Sequence, residues 1–135
     1  PVSDRFGGAK VTMFSAVGLL VCALAISPYT APTSLENWPT FLWLMLALFF
    51  FSGAGNASTF KQMPMIFPPR QAGGVIGWTS AVAAYGPFVF SVLFGWIIAR
   101  TGSAQAFFLG AAVFYAANLL LNFWFYARRC AEKPC

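Results

Sequence analysis

The sequence predicts an all-α integral membrane protein with four transmembrane helices. Of its 135 residues, 59% are hydrophobic and only 8% are charged, whereas soluble domains carry about a quarter of their residues as charged side chains. The apolar residues also gather into four long runs, separated by short segments rich in proline, glycine or polar residues. Because about 17–25 mostly apolar residues cross a bilayer as a helix, each run is long enough to span it.

The four spans are predicted at residues 11–27, 41–67, 75–99 and 104–126, with a tail at 127–135. The first span ends at Pro28, and the second is long enough to tilt or to extend past the bilayer. The third and fourth spans are separated by the short RTGS segment that begins at Arg100. A connection of this length predicts that they are antiparallel neighbours.

Basic residues lie mostly on one side of the predicted membrane. That side holds Arg5, Lys10, Arg70, Arg128, Arg129 and Lys133, and the other side holds Arg100. Because cytoplasmic loops are enriched in Lys and Arg, we expect a multi-pass protein of the inner (plasma) membrane with both ends of the chain in the cytoplasm. The net charge of +5 then reflects the excess of basic residues in the loops on the cytoplasmic side. We therefore expect a lipid bilayer as partner and no nucleic acid.

The inventory of reactive side chains argues against an enzyme. Histidine is absent, and the acidic residues are Asp4, Glu36 and Glu132, whereas metal sites and proton-transfer catalysis draw mostly on these residue types. We therefore expect no metal site and no cofactor. The chain begins at Pro1 in a polar loop without a signal peptide, so we also expect it to start within a longer protein.

The second span carries an unusual polar segment, GAGNASTFKQMPMIF, at residues 53–67. On a helix with 3.6 residues per turn, one face carries Ser52, Gly55, Asn56, Thr59 and Gln62. A second, roughly opposite stripe carries Gly53, Ala57 and Lys61. Narrow faces of this kind suit packing between helices or the wall of a cavity, and packing alone remains an alternative. Pro64 should kink the helix because it cannot donate to the carbonyl of Phe60.

The third span repeats the pattern, with a small face at Gly77, Ser80, Ala81, Ala84, Ser91 and Gly95. The Gly86-Pro87 pair should bend this helix near its middle. The first and fourth spans are rich in Leu, Val and Phe, so we expect the second and third to be inner helices and the others outer ones. Asn118 and Asn122 in the fourth span should form hydrogen bonds between helices.

Two motifs resemble a known family of transporters. The DRFGGAK segment, Asp4 to Lys10, resembles the cytoplasmic loop motif of the major facilitator superfamily, with Pro1 where a glycine is usual and Gly8-Ala9 before the lysine. The segment GAGNASTFKQMPMIF resembles the second glycine-rich nitrate signature of the nitrate/nitrite porter family. The tail YARRCAEKPC resembles the end of those proteins, so the resemblance covers almost the whole chain.

The resemblance implies that the chain is the C-terminal part of a twelve-helix major facilitator fold, spans nine to twelve, whose two halves rock around a central anion site. The implied partner is nitrate or nitrite, coupled to protons or to a counter-anion, and the arginines that hold the anion are expected upstream, in the missing N-terminal part of the same polypeptide. Lys61 favours the proton-coupled branch of the family over the exchange branch.

The resemblance also implies site residues. It assigns the substrate pathway to Gly53, Gly55, Asn56, Ser58 and Thr59. Further candidates for the pathway or for coupling are Lys61, Ser80 and Tyr85. A cytoplasmic loop motif that clamps one conformation is assigned to Asp4, Arg5, Gly7, Gly8 and Lys10.

Two other classes of protein remain as alternatives. A four-helix membrane thiol oxidoreductase needs closely spaced cysteine pairs on the outer face, whereas Cys22 falls within a span and Cys130 and Cys135 fall in the tail. A small four-helix exporter or structural subunit is the other alternative. Small cation exporters usually need an acidic residue within the membrane, and no predicted span contains one.

Overall fold

The structure is a computed structural model that describes residues 8–30 and 35–127. Its long helices are α1 (Gly8–Ile26), α2 (Trp38–Ile66), α3 (Pro69–Thr101) and α4 (Gln105–Asn122). Short helical turns at Ser27–Tyr29 and Leu35–Asn37 lie between α1 and α2, and a wider turn at Phe123–Ala127 extends α4. With their adjoining turns, all four helices are long and apolar enough to cross a membrane. The described residues contain no strand, so the predicted all-α class with four membrane helices is confirmed.

Prolines and one glycine set the limits of α2 and α3. Pro39 lies in the first turn of α2, and Pro69 begins α3; proline suits this position because the first amides of a helix have no partner within it. The third helix therefore begins at residue 69 rather than at 75. It ends at Gly102, which has a φ of 70° and donates its N–H to the carbonyl of Ile98 over 2.8 Å. Glycine adopts this left-handed conformation without steric cost.

Helix α1 is the most enclosed helix in the described part of the chain. It packs against α2 and against α4, and its buried residues include Cys22, Ala23 and Ile26. By contrast, α3 has a single buried residue, Ala72. Within the described residues α1 rather than α3 is the enclosed helix, and the predicted division into inner second and third helices and outer first and fourth helices, which concerns the whole transporter fold, stays a prediction.

The small face of α3 is not covered by the other described helices. No atom of a described neighbour lies within 4 Å of a methyl group placed on Gly77, Gly86 or Gly95. Small residues allow another helix to approach closely, but α1, α2 and α4 do not take up these positions. The side chains of Trp78, Tyr85 and Phe88 on α3 are likewise about 70% exposed.

Close contact between α1 and α2 depends on glycines, which have no side chain to keep the helices apart. The ring of Phe51 lies against Gly18 so closely that a methyl group on Gly18 would overlap it. Phe14 meets the same ring edge to face, with centroids 5.6 Å apart. Nearer the start of α1, the Gln62 side chain lies against Gly8, 2.6 Å from the position that a methyl group there would take.

An apolar core lies at the other end of α1. Ile26 is fully buried there against Ala104 and Phe108. Phe107 contacts Phe94 of α3 edge to face, with centroids 5.0 Å apart. Helices α3 and α4 thus meet near their short connection, and they have few contacts with each other in all.

Candidate functional site

The polar face of α2 lines a pocket between three helices. Ser52, Gly55, Asn56 and Thr59 of α2 contribute to its wall, and its volume is about 190 Å³. Helix α1 contributes Thr12, Ser15, Ala16 and Leu19, and α4 contributes Tyr115 and Asn118. Four of the five residues that the helical period places on one face of α2 therefore lie on the same pocket. The fifth residue, Gln62, is buried and contacts α1 instead.

The two glycines of the signature segment have different surroundings. A methyl group on Gly55 would lie 3.3 Å from Cβ of Ser15, so this glycine allows α1 and α2 to approach closely. A methyl group on Gly53 would have no atom of a described neighbour within 4 Å. Of these two glycines, only Gly55 lies at a close contact between helices within the described residues.

Ser58 belongs to a partly buried chain of hydrogen bonds between α1 and α2. Gln62 Nε2 donates to Thr12 Oγ1 over 3.0 Å, and Ser58 Oγ donates to the carbonyl of Gly55 over 2.9 Å. The oxygens of Thr12 and Ser58 are 2.7 Å apart. Since a hydroxyl has one proton to donate and Ser58 gives its own to Gly55, Thr12 is the donor in this bond. Ser58 is 1% exposed, so the structure places it in the helix contact.

Thr59 and Asn56 lie on the pocket side of α2 and are exposed. Thr59 Oγ1 donates to the carbonyl of Gly55 over 2.9 Å, the same carbonyl that accepts from Ser58 Oγ. Asn56 lines the pocket with Asn118 of α4. Its amide can donate two protons and accept on one oxygen, which makes it the most versatile polar group that α2 contributes to the pocket wall.

The other predicted candidates lie elsewhere. Lys61 is half-buried on α2 and does not line this pocket. Ser80 donates to the carbonyl of Ile76 in its own helix over 2.7 Å, and Tyr85 is 71% exposed on α3. The structure therefore does not bring Lys61, Ser80 and Tyr85 together with the polar face of α2.

The loop motif is described only in part. Asp4, Arg5 and Gly7 lie outside the described residues. Gly8 begins α1, buried against Gln62, and Lys10 is exposed. The predicted charge clamp thus stays a prediction.

Three polar residues of the pocket were missed by the sequence analysis: Thr12, Ser15 and Tyr115. Thr12 and Ser15 are three apart on a helix that otherwise reads as Leu- and Val-rich, and this spacing could have shown a short polar face. Tyr115 shares a face with Asn118 and Asn122 at spacings of three and four. Asn122 itself donates to the carbonyl of Ala9 over 3.1 Å, which confirms its predicted bond between helices.

A larger and mostly apolar pocket of about 1060 Å³ lies between α2, α3 and α4. Its walls are largely aromatic, with Trp38, Phe41, Phe90, Phe94 and Phe107 among them. The described residues contain no group of three or more His, Cys, Asp or Glu side chains that could hold a metal ion. Neither pocket therefore offers the chemistry of a metal centre.

Four membrane-length helices, a lipid-compatible surface and a polar pocket between them define a multi-pass membrane protein. The family model of the Major Facilitator Superfamily matches residues 1–134. The chain belongs to this superfamily, as its loop motif predicted.

Curated relatives make the comparison more specific. The chain is 64% identical over 135 residues to the probable nitrate/nitrite antiporter NarK2 of Thermus thermophilus, covering 100% of this chain and 30% of that protein. It is 26% identical over 149 residues to the nitrate/nitrite transporter NarU of Escherichia coli, covering 95% of this chain and 32% of NarU. The chain thus spans about a third of the length of these relatives. No solved structure matches it.

Proposed function

We propose that this chain forms the C-terminal four helices of a secondary transporter that carries nitrate, nitrite or both across the inner membrane by alternating access. The observation that carries the proposal is the 64% identity to a probable nitrate/nitrite antiporter over the whole of this chain. The signature segment supports it, because this part of α2, a helix long enough to cross a membrane, lines a polar pocket between helices. The proposed orientation has the start of α1 and the connection between α2 and α3 in the cytoplasm, next to Lys10 and Arg70.

Exchange of nitrate for nitrite is the coupling that we propose. The relative that shares 64% identity is named as an antiporter, which points away from the proton-coupled branch that Lys61 favours. Exchange needs no titratable group in the pathway, and neither of the two pockets within the described residues is lined by an Asp, Glu or Lys side chain.

Within the chain, Asn56 is the residue best placed to hydrogen-bond the anion or a water of the pathway. It is exposed on a polar face, and Gly55 and Ser52 beside it are small. A singly charged, delocalised anion accepts weak hydrogen bonds, so an amide suits it as one contact among several. The principal positive charges would be supplied by the rest of the polypeptide.

The test of the proposed function is an exchange assay on the transporter that contains this chain. Liposomes loaded with nitrite should take up external nitrate rapidly, whereas empty liposomes should not, and a protonophore should leave the exchange rate unchanged. Uptake that needs no internal anion and stops with the protonophore would replace exchange by proton coupling. Transport of neither anion would reject the proposal.

Asn56→Leu tests the site in the same assay. We expect the exchange rate to fall by about tenfold or more, which corresponds to one lost hydrogen bond of about 1.4 kcal/mol, with normal expression. Ala57→Leu is the matched control, because Ala57 is exposed on the other side of α2. Equal rates for both variants would remove Asn56 from the pathway.

A further inference from the structure

The apolar pocket between α2, α3 and α4 has no role in the proposed function. Its volume is about 1060 Å³, and Trp38, Phe49 and Phe90 on its walls are about half to two-thirds exposed. Helices α3 and α4 meet near their short connection, where Phe94 contacts Phe107, and few other contacts join them. The described residues therefore leave a wide space beside this junction unfilled.

Helices α2 and α3 each present a row of side chains to this pocket. The members of each row recur at intervals of three or four residues, as on one face of a helix: Phe41 and Met45 on α2, and Pro87, Ser91, Phe94 and Ile98 on α3. From its first to its last member the α3 row runs about 16 Å, at 1.5 Å per residue. A helix segment of that length and about 10 Å across occupies roughly 1300 Å³, which is close to the volume of the pocket.

Pro87 favours polypeptide over lipid as the occupant of this pocket. It lines the wall and has no N–H to donate to the carbonyl of Ala83, one turn earlier in α3. Within a membrane, lipid tails offer no hydrogen bond to a carbonyl that a proline has freed, whereas a neighbouring helix can. An acyl chain beside Pro87 would leave this carbonyl unsatisfied.

The relatives indicate where the polypeptide comes from. This chain covers 30% of the probable nitrate/nitrite antiporter NarK2 of Thermus thermophilus, and its described residues already contain four membrane-length helices. The rest of a protein of that length has room for several more. A helix tethered to this chain also has a higher effective concentration at the pocket than a separate protein has.

We propose that a membrane-spanning helix from the part of the polypeptide outside this chain packs into the apolar pocket, along the α3 row from Pro87 to Ile98. A polar side chain of that helix donates to the carbonyl of Ala83. Helix α3 is then held between this helix and α4. The proposal does not depend on which anion the transporter carries.

Photo-crosslinking in the full-length transporter tests the proposal directly. Phe90→benzoylphenylalanine places a photoreactive ring on the pocket wall, and mass spectrometry after irradiation in native membranes identifies what the ring captures. We expect an adduct with a peptide of the same polypeptide from outside residues 1–135. Phe114→benzoylphenylalanine is the matched control, because Phe114 is 57% exposed on α4 and lies outside this wall; it should not capture the same peptide.

Each other result of the crosslinking would overturn the proposal. An adduct with lipid would show that acyl chains fill the pocket. A crosslinked dimer would show that a second copy of the transporter fills it. An adduct confined to residues 1–135, or no adduct, would show that no further helix reaches the pocket wall.

Thermal unfolding of the full-length transporter gives an independent readout. Ser91→Leu enlarges a side chain of the α3 row, and overpacking against a helix should lower the Tm by about 2–6 °C. Fluid acyl chains would instead adjust to the larger side chain. Val113→Phe is the control, because Val113 is exposed on α4 outside this wall. A Tm for Ser91→Leu no lower than that for Val113→Phe would overturn the proposal.

Discussion

At the scale of single residues, the contact between α1 and α2 contains a hydrogen-bond chain that runs in one direction. Gln62 donates to Thr12, Thr12 to Ser58, and Ser58 to the carbonyl of Gly55. Ser58 has no proton left to offer a ligand while this chain is intact. A direct contact between Ser58 and an anion would require α1 and α2 to separate, so its assignment to the substrate pathway stays a prediction.

Removing the central hydroxyl should destabilise the protein. Thr12→Val keeps the shape of the side chain and leaves the Gln62 amide without its acceptor, so we expect a loss of about 1–2 kcal/mol in the free energy of unfolding. Thermal unfolding of the purified transporter measures it. Thr40→Val, at an exposed position near the start of α2, is the control. A Thr12→Val protein as stable as the Thr40→Val protein would show that the chain contributes nothing.

Residue types predicted some of these contacts and concealed others. An asparagine in a membrane-length apolar segment favours a bond to another helix, so the role of Asn122 followed from its type. Serine and threonine can instead bond the carbonyl one turn earlier, as Thr59 and Ser80 do. The sequence pattern therefore does not distinguish hydroxyls that face other helices, such as those of Thr12 and Ser15, from hydroxyls that bond a carbonyl of their own helix.

At the scale of helices, α2 has two narrow faces with different neighbours. The face with Gly55 lies against α1, and the face with Gly53 has no described neighbour within reach of a methyl group. Both faces looked alike in the sequence, since each combines glycine with small or polar residues. The structure separates them by what lies opposite.

A leucine at each glycine should distinguish the two faces. Gly55→Leu forces the side chain into Ser15 of α1, and overpacking of this kind costs about 1–3 kcal/mol. We expect a lower Tm and slower exchange for this variant. Gly53→Leu should leave the contact between α1 and α2 intact. Equal losses of stability for the two variants would contradict the close approach at Gly55.

Helices were predictable from the sequence, but their arrangement was not. Apolar runs bounded by Pro28, Pro39, Pro69 and Gly102 set the four helices because membrane thickness and the chemistry of helix ends act locally. A small face such as that of Gly77 and Gly95 shows that a helix suits close packing. It does not show which helix packs there, and no atom of a described neighbour lies within reach of a methyl group at either glycine.

At the scale of the molecule, the chain covers only about a third of the length of its relatives. Helix α3 exposes Trp78, Tyr85 and Phe88, and the polar face of α2 is exposed at Asn56 and Thr59. On the proposed function, both surfaces belong to a pathway that needs a second set of helices. The family resemblance could be recognised from short motifs, whereas the anion site could not be completed from this chain.

We therefore expect the 135-residue chain, expressed alone, to transport neither nitrate nor nitrite. Liposomes that contain it should show the same nitrate uptake as protein-free liposomes. The longer transporter in the same lipids is the positive control for the assay. Saturable uptake by the chain alone would contradict the proposal that it is one part of a larger pathway.

The bond between Asn122 and Ala9 also bears on the order of assembly during synthesis. Its two residues are 113 positions apart, whereas the bond between Thr12 and Ser58 spans 46. Contacts between closer positions can form first because less chain must be ordered to close them. Helices α1 and α2 can thus pair while the ribosome is still making α3. The bond from Asn122 of α4 to Ala9 at the start of α1 forms only after the last helix has been translated.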